Sequence, residues 1–147
     1  MIRILFVCHG NICRSPMAQY VLEYLAAQQG VALAVESAAT SSEELGNGVH
    51  PGTRRVLAAH GIPCGGHRAR QLTRADREAY DWFIGMDSAN VRNMLRILGG
   101  DAAGKVRRLL EFTPQPRDIA DPWYTGDFEA TYQDVYAGCR ALLEQLG

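Results

Sequence analysis

The sequence predicts an α/β fold: a four-stranded parallel sheet with helices on both faces. Apolar runs of strand length alternate along the chain with segments of helical periodicity. The first run, Ile2–Cys8, is apolar after a single charge, which is typical of a strand buried on both faces. A length of 147 residues and an apolar content of 47% are also sufficient for a three-layer domain. We therefore expect one domain over residues 1–147.

Each further element has its own signal in the sequence. The first strand leads into a glycine-containing turn, and a helix is predicted from about Ser15 and Pro16 to Gly30, because proline suits a first helical turn and glycine follows a last one. Further strands are predicted at 32–37, 80–86 and 106–110. Further helices are predicted at 51–60, 88–98 and 128–146. Pro114, Pro116 and Pro122 predict an irregular segment before the last helix.

Composition narrows the functional classes. The formal net charge of −1 gives no electrostatic indication of nucleic-acid or membrane binding. The apolar runs are too short to cross a bilayer, and no secretory signal precedes them. We therefore expect a cytoplasmic protein that binds neither nucleic acid nor membrane. The four cysteines (Cys8, Cys13, Cys64 and Cys139) are expected to be free thiols.

The turn after the first strand carries the strongest chemical signal. Cys8 and Arg14 are separated by five residues at a predicted strand–turn–helix junction. Such a loop can direct backbone N–H groups at an anion beside a helix N-terminus, and an arginine fork can bind two phosphate oxygens. The same field favours the thiolate of Cys8. In parallel sheets, sites form at the carboxyl ends of strands, so we expect a phosphate loop at the end of strand 1.

Three further residues of the loop fit this chemistry. Gly10 permits backbone angles that other residues avoid, and Asn11 tolerates a left-handed bend. The Ser15 hydroxyl can donate to the Cys8 sulfur and make it a better leaving group. A Cys-x5-Arg spacing alone is common by chance, and these additional residues make the pattern specific.

The chain resembles the low-molecular-weight protein tyrosine phosphatases, of bacterial type, from end to end. The resemblance rests on Val-Cys-x-Gly-Asn-Ile-Cys-Arg-Ser-Pro at 7–16, Ser-Ala-Ala-Thr at 37–40, His-x-Ala-Arg-Gln at 67–71, Met-Asp at 86–87 and Asp-Pro-Trp-Tyr at 121–124. It implies hydrolysis of phosphotyrosine through a phosphocysteine on Cys8, with no cofactor and no metal. His9 departs from the apolar residue that is usual there, and either alters leaving-group contacts or points outward.

The resemblance assigns the acid and the pocket. Asp121 would protonate the leaving tyrosyl oxygen and then activate water, although Asp118 lies near enough to compete for this role. Trp123 and Tyr124 would line a slot for a flat phenyl phosphate. The alternatives without a functional role are that Asp121 starts a turn and that the two aromatic residues pack in the core.

The remaining assignments concern the loop and its support. The substrate would contact the loop residues His9, Gly10, Asn11, Ile12, Cys13 and Ser15. Cys13 would form a reversible disulfide with the nucleophile, or else be an inert buried thiol. Ser37 and His67 would hydrogen-bond Asn11, with Ser42 and Asp87 bracing the same loop.

Three other functions share this fold or loop. An arsenate reductase needs a relay of further cysteines, and only Cys64 and Cys139 lie outside the loop. An arginine phosphatase tends to have threonine at the position of Ile12. A non-catalytic phosphate-binding module would have lost a residue of the catalytic set. The predicted partners are phosphotyrosyl proteins, with a bacterial tyrosine kinase among the candidates, and the protein is expected to be a monomer or weak dimer.

Overall fold

The computed structural model describes residues 1–101 and 103–146. Four strands form one parallel sheet in the order β2-β1-β3-β4. The strands are β1 (Ile2–Cys8), β2 (Leu33–Ala39), β3 (Trp82–Gly85) and β4 (Val106–Arg108). The helices are α1 (Arg14–Gln29), α2 (Pro51–Ala59), α3 (Ser88–Leu98), α4 (Pro122–Thr125) and α5 (Phe128–Leu146).

Strand β1 lies inside the sheet and is covered on both faces. Ile4 and Phe6 are fully buried in the larger core cluster, which includes residues of α1 and α5. Leu5 and Val7 point to the other face, into a smaller cluster that includes residues of α3. The continuous apolar run therefore fills two cores at once. The predicted α/β fold with helices on both faces is confirmed.

Helix α1 begins directly after the loop that follows β1. Pro16 lies in its first turn, where the missing N–H costs no helical hydrogen bond. The helix ends at Gly30, whose φ of 67° is left-handed, and the next residue, Val31, donates to the carbonyl of Ala26 at 2.9 Å. Both ends agree with the sequence prediction to within a residue.

Three strands differ in length from their predictions. β2 extends to Ala39 because it pairs with β1 residue by residue until Cys8 faces Ala39. β3 is shorter than 80–86 at both ends. β4 stops at Arg108, and Leu109–Phe112 forms a 3-10 helix that packs against α5.

Two helical segments were absent from the prediction. A 3-10 helix covers Arg74–Glu78, and α4 occupies part of the segment predicted to be irregular. In α4, Pro122 starts the helix as its first residue, with Asp121 before it. Pro122, which was predicted to lie in an irregular segment, therefore begins a short helix. Among the described residues, no helix is long and apolar enough to cross a membrane.

Candidate active site

The side chain of Cys8 ends in a small hydrogen-bonded group at the carboxyl end of β1. Its sulfur lies 3.0 Å from the Ser15 hydroxyl and accepts from the Ser15 backbone N–H at 3.4 Å. The Asn11 side-chain amide donates to the same hydroxyl oxygen at 2.8 Å. Since this oxygen already accepts a hydrogen bond, its own hydrogen is free to point at the sulfur. The predicted contact between Ser15 and Cys8 is present.

Asn11 shapes the loop from within. It is fully buried, and its φ of 59° is the only positive φ among the described non-glycine residues. Its side-chain oxygen accepts from the Arg70 backbone N–H at 3.1 Å, and its carbonyl accepts from His67 Nε2 at 2.8 Å. The predicted left-handed bend is therefore present. The side chains of Asn11 and Ser15 brace the loop from below, and neither residue lines the cavity, so their contact with substrate stays a prediction.

The two predicted partners of Asn11 have different outcomes. His67 makes the contact, and burial lowers its pKa below the ordinary 6.5 despite the hydrogen bond to Asn11. Ser37 does not, because its hydroxyl donates to Gln19 Oε1 at 2.7 Å. Ser37 lies two residues after Val35 on the same face of β2, and that face packs on α1, where Gln19 lies.

Arg14 is held by three groups from two distant segments. Its side chain is 3% exposed, and one terminal nitrogen donates to Asp87 Oδ2 at 2.7 Å and to the Ile119 carbonyl at 2.9 Å. The other lies 3.5 Å from Asp121 Oδ2. Burial acts to lower the pKa of Arg14, but Cys8, Asp87 and Asp121 outweigh it and raise the pKa. The guanidinium therefore keeps its charge in a buried position.

Asp121 has one oxygen in a helix cap and one toward the arginine. Its Oδ1 accepts from the Trp123 backbone N–H at 3.0 Å, which caps α4. This leaves Oδ2 directed at Arg14, and the cavity wall includes the residue.

The competing carboxylate, Asp118, is engaged elsewhere. It accepts from the Arg108 side chain at 2.9 Å and from the hydroxyl and backbone N–H of Ser88, both at 2.9 Å. Burial acts to raise its pKa, but these hydrogen bonds outweigh it and lower the pKa. Asp118 does not line the cavity that contains Cys8.

A cavity of about 110 Å³ opens above the loop. From the loop it is lined by Cys8, His9, Gly10, Ile12, Cys13 and Arg14. From other segments it is lined by Glu43, Glu44, Asp121, Trp123 and Tyr124. The predicted catalytic residues Cys8, Arg14 and Asp121 thus meet the predicted aromatic residues at one cavity.

The two aromatic residues are at the surface. Trp123 is 58% exposed and Tyr124 is 84% exposed, so neither serves as core. The Trp123 ring meets the His50 ring edge-on, with centroids 5.8 Å apart. Exposed aromatic side chains that border a cavity are suited to contact a ligand.

Glu43 and Glu44 were missed by sequence reasoning. His9 Nε2 lies 2.8 Å from Glu43 Oε2, and Glu44 packs so closely on the loop that a Cβ on Gly10 would lie 3.3 Å from Glu44 Cγ. Ser41, rather than the predicted Ser42, braces the loop, since its hydroxyl and N–H both donate to the His9 carbonyl. The only sequence signal of these two residues was that they are adjacent acidic residues in a polar segment.

The cysteines are free thiols, as expected for all four. Burial, followed by the charges of Cys8 and Asp121, raises the pKa of Cys13 to about 12. Burial also raises the pKa of Cys139. No group of three or more His, Cys, Asp and Glu side chains in the described part of the chain is arranged to hold a metal ion.

The fold and the site define a class of proteins that bind a phosphate-like anion against a thiol at the end of a central parallel strand. The family model of the low molecular weight phosphotyrosine protein phosphatases matches residues 3–147. The low molecular weight protein-tyrosine-phosphatase YfkJ of Bacillus subtilis is 37% identical over 150 residues, which cover 99% of this chain and 96% of that protein. The chain belongs to this family, as the sequence predicted.

Other relatives extend the comparison. The low molecular weight phosphotyrosine protein phosphatase of Homo sapiens is 39% identical over 149 residues, which cover 97% of this chain and 94% of that protein. The crystal structure of YfkJ matches with a TM-score of 0.96 over 99% of this chain and 94% of that one. A structure described as DARP, a drosophila arginine phosphatase, matches with a TM-score of 0.89 at 25% identity, over 99% and 97%.

Proposed function

We propose that this protein hydrolyses phosphotyrosine in proteins through a phosphocysteine intermediate on Cys8. The observation that carries the proposal is that Cys8, Arg14 and Asp121, from two distant parts of the sequence, border one cavity. The thiol, the planar cation and the carboxyl are the three groups that transfer of a phosphoryl group to sulfur requires.

In the first step, the Cys8 thiolate attacks phosphorus and the bond from phosphorus to the tyrosyl oxygen breaks. Arg14 and the loop amides hold the phosphate oxygens, and Asp121 gives its proton to the departing phenolate. Asp121 lies 3.5 Å from the arginine that binds the phosphate, so its carboxyl is close to the place where the leaving oxygen would lie.

In the second step, Asp121 takes a proton from water, the water oxygen bonds to phosphorus, and the bond from sulfur to phosphorus breaks. The products are inorganic phosphate and the Cys8 thiolate. The Ser15 hydroxyl, 3.0 Å from the sulfur, stabilises the developing negative charge. The buried amide of Asn11 keeps this hydroxyl in position.

The aromatic border supports phosphotyrosine as the substrate. Trp123 and Tyr124 are exposed at the cavity, where they can contact the phenyl ring of a phosphotyrosine whose phosphate reaches Cys8. Phosphoserine is too short to make that contact. Ile12 adds an apolar wall, which favours a phenyl ring over the cationic guanidinium of phosphoarginine. Phosphotyrosyl proteins, among them a tyrosine kinase of the same cell, are the proposed substrates.

Cys13 supports a redox role at the same loop. An oxidant would convert the Cys8 thiolate to sulfenic acid, and the Cys13 thiol would displace water to form a disulfide between the two residues. The pKa of about 12 keeps Cys13 as the thiol in the meantime. The disulfide would protect the nucleophile until a cellular thiol reduces it.

The substrate assignment is tested by turnover on matched phosphotyrosine, phosphoarginine and phosphoserine peptides under reducing conditions. We expect hydrolysis of the phosphotyrosine peptide, little or none of the others, and no turnover with the Cys8→Ser variant, which still binds the peptide. Wild-type protein that prefers phosphoarginine would establish the activity named for its drosophila relative. Wild-type protein that is inert toward all three would contradict the proposal.

A further inference from the structure

The cavity has an acidic wall, formed by Glu43 and Glu44. Glu44 lies against Gly10 of the phosphate loop, and Glu43 lies 2.8 Å from the ring of His9. The wall is fixed to the loop, because the Ser41 hydroxyl and N–H donate to the His9 carbonyl at 2.9 and 3.1 Å. Both carboxylates thus line the same cavity as the nucleophile.

Among residues 1–101 and 103–146, no arginine or lysine forms a salt bridge with Glu43 or Glu44 of the acidic wall. Glu44 accepts from the amide of Asn47, which is neutral, and Glu43 meets a cation only when His9 is protonated. Arg14 already has Asp87 and Asp121 as ion-pair partners. The cavity therefore presents more carboxylates than cations to a substrate that itself brings a phosphate dianion.

The negative charge of the wall extends to the phosphate loop. Among the groups that raise the pKa of Cys13 is the charge of Glu44, after burial and the charges of Cys8 and Asp121. A wall of this sign weakens the binding of a bare phosphate ester. It becomes favourable when the substrate carries a compensating positive charge near the ester.

We propose that the acidic wall selects phosphotyrosine substrates that carry arginine or lysine beside the phosphotyrosine. This proposal rests on the function proposed above and names the substrate class of the same site. The Glu43 side chain is 68% exposed, so a peptide chain outside the cavity can reach it while the phosphate lies at Cys8. His9 acts as a positioning residue, because its hydrogen bond holds the Glu43 carboxylate at the cavity.

The position of His9 explains how the Glu43 carboxylate is held in the acidic wall. The His9 side chain is 53% exposed and bonds to the neighbouring segment instead of entering the loop. The ring points out of the loop, as one alternative had it, but His9 also lines the cavity, so contact with a leaving group stays a prediction. An apolar residue at this place would leave Glu43 without its partner, and the carboxylate would be free to turn into solvent.

The test compares one phosphotyrosine peptide in three forms, with arginine, glutamine or glutamate at the positions that flank the phosphotyrosine. The measured quantity is the ratio of kcat/KM for the arginine form to that for the glutamate form. We expect the ratio to exceed one in the wild type and to fall about threefold in Glu43→Gln, about threefold in Glu44→Gln and about tenfold in the double variant. Added salt should lower the wild-type ratio toward one.

Glu144→Gln is the matched control, since Glu144 is an exposed glutamate on α5 that does not line the cavity. It changes the net charge equally and should leave the ratio unchanged. A wild-type ratio of one, or a double variant with the wild-type ratio, would overturn the proposal and leave phosphotyrosine hydrolysis standing. If the wild type hydrolyses none of the peptides, the proposed function fails. The dissociation constants of the three forms with Cys8→Ser then decide separately whether the wall selects positive charge.

Discussion

Three aspartates around the phosphate loop differ in their partners, and the partners separate their roles. Asp87 accepts from Arg14 at 2.7 Å and caps α3, so it orients the arginine. Asp121 faces the same arginine more loosely and borders the cavity. Asp118 is bound to Arg108 and Ser88 outside the cavity. At the residue scale, hydrogen-bond partners separate Asp121 from Asp118, which the sequence leaves as a competitor for the role of the acid.

Exchange of the acid should slow the reaction most when the leaving group is poor. With Asp121→Asn we expect kcat/KM to fall by about 10²- to 10⁴-fold on phenyl phosphate, because no proton reaches the departing oxygen. The loss in kcat/KM should shrink on an aryl phosphate with an acidic phenol, which leaves without a proton. The measurement is steady-state kcat/KM across a series of substituted phenyl phosphates, because kcat also contains the second step, in which Asp121 acts on water whatever the leaving group.

Asp118→Asn is the control for this experiment, since it removes the same charge three residues earlier. We expect its dependence on the leaving group to match that of the wild type. If Asp118→Asn, and not Asp121→Asn, becomes sensitive to the leaving group, the acid has been assigned to the wrong residue.

The contiguous residues of the site were identified from their motif, the segment 121–124 through the family resemblance, and Glu43 and Glu44 not at all. Cys8 to Ser15 form one uninterrupted motif, so the sequence indicates both their chemistry and their position after a strand. Glu43 and Glu44 reach the cavity only because their segment folds over the phosphate loop, and no periodicity reports such a fold. The Ser37 contact failed for the related reason that the direction of its side chain depends on the pairing of β2.

At the scale of elements, α5 packs closely against the 3-10 helix that follows β4. Gly138 lies in the interior of α5, where glycine is unfavourable by roughly 1 kcal/mol relative to alanine. A Cβ there would lie 2.5 Å from the Cγ of Leu109, which is fully buried in the 3-10 helix after β4. The close approach of the two elements therefore requires the glycine.

We expect Gly138→Ala to lower the free energy of unfolding by about 1–3 kcal/mol, because overpacking outweighs the gain in helix propensity. Urea denaturation measures this change. Leu109→Ala should itself destabilise by about 2–5 kcal/mol through the cavity that it leaves.

The double variant tests the contact directly. In the Leu109→Ala background, Gly138→Ala should become neutral or stabilising, since the added methyl group then enters free space. Destabilisation by Gly138→Ala of equal size in both backgrounds would mean that the two residues do not oppose each other.

Element types were predictable from the sequence, while several boundaries were not. A local apolar run predicts the burial of β1, and a proline and a glycine predict the two ends of α1. β4 ends two residues early because Leu109 and Leu110 are buried in a 3-10 turn, and an apolar pair reads equally well as strand. α4 was missed because a proline at a first helical position and one in an irregular segment look alike without the backbone.

At the scale of the whole molecule, the site joins the carboxyl ends of neighbouring strands. Arg14 follows the loop after β1, and its partner Asp87 follows the end of β3. Ile119 forms hydrogen bonds to both of these segments. The Ile119 N–H donates to the Met86 carbonyl at 3.0 Å, while its own carbonyl accepts from Arg14. The arrangement of the site therefore depends on the pairing of β1 with β3 and not on the loop alone.

The half-buried His67 should make the stability of the whole chain depend on pH. Burial lowers its pKa below the ordinary 6.5, so the unfolded chain binds a proton more readily than the folded one. The stability that His67 contributes is complete above pH 6.5 and is lost as the pH falls through the lower, folded-state pKa. We expect the free energy of unfolding to decrease across that interval as the pH falls.

The comparison is with His67→Gln, whose amide can still donate to the Asn11 carbonyl but does not titrate. Urea denaturation at about pH 7.5 and at about pH 5 should show a smaller loss of stability for the variant than for the wild type. Equal losses in the two proteins would show that His67 takes up no proton in this interval.

The ion pairs of Arg14 have a consequence for the end of the catalytic cycle. The buried guanidinium has carboxylate partners within the protein, because Asp121 lies 3.5 Å from one of its nitrogens while Asp87 fixes the other. When inorganic phosphate departs, Asp121 can release the proton that it took from water, and its carboxylate then lies beside the cation. The protein's own side chain competes with the product for the arginine, and we expect this exchange to keep product inhibition weak until Asp121 is protonated for the next ester.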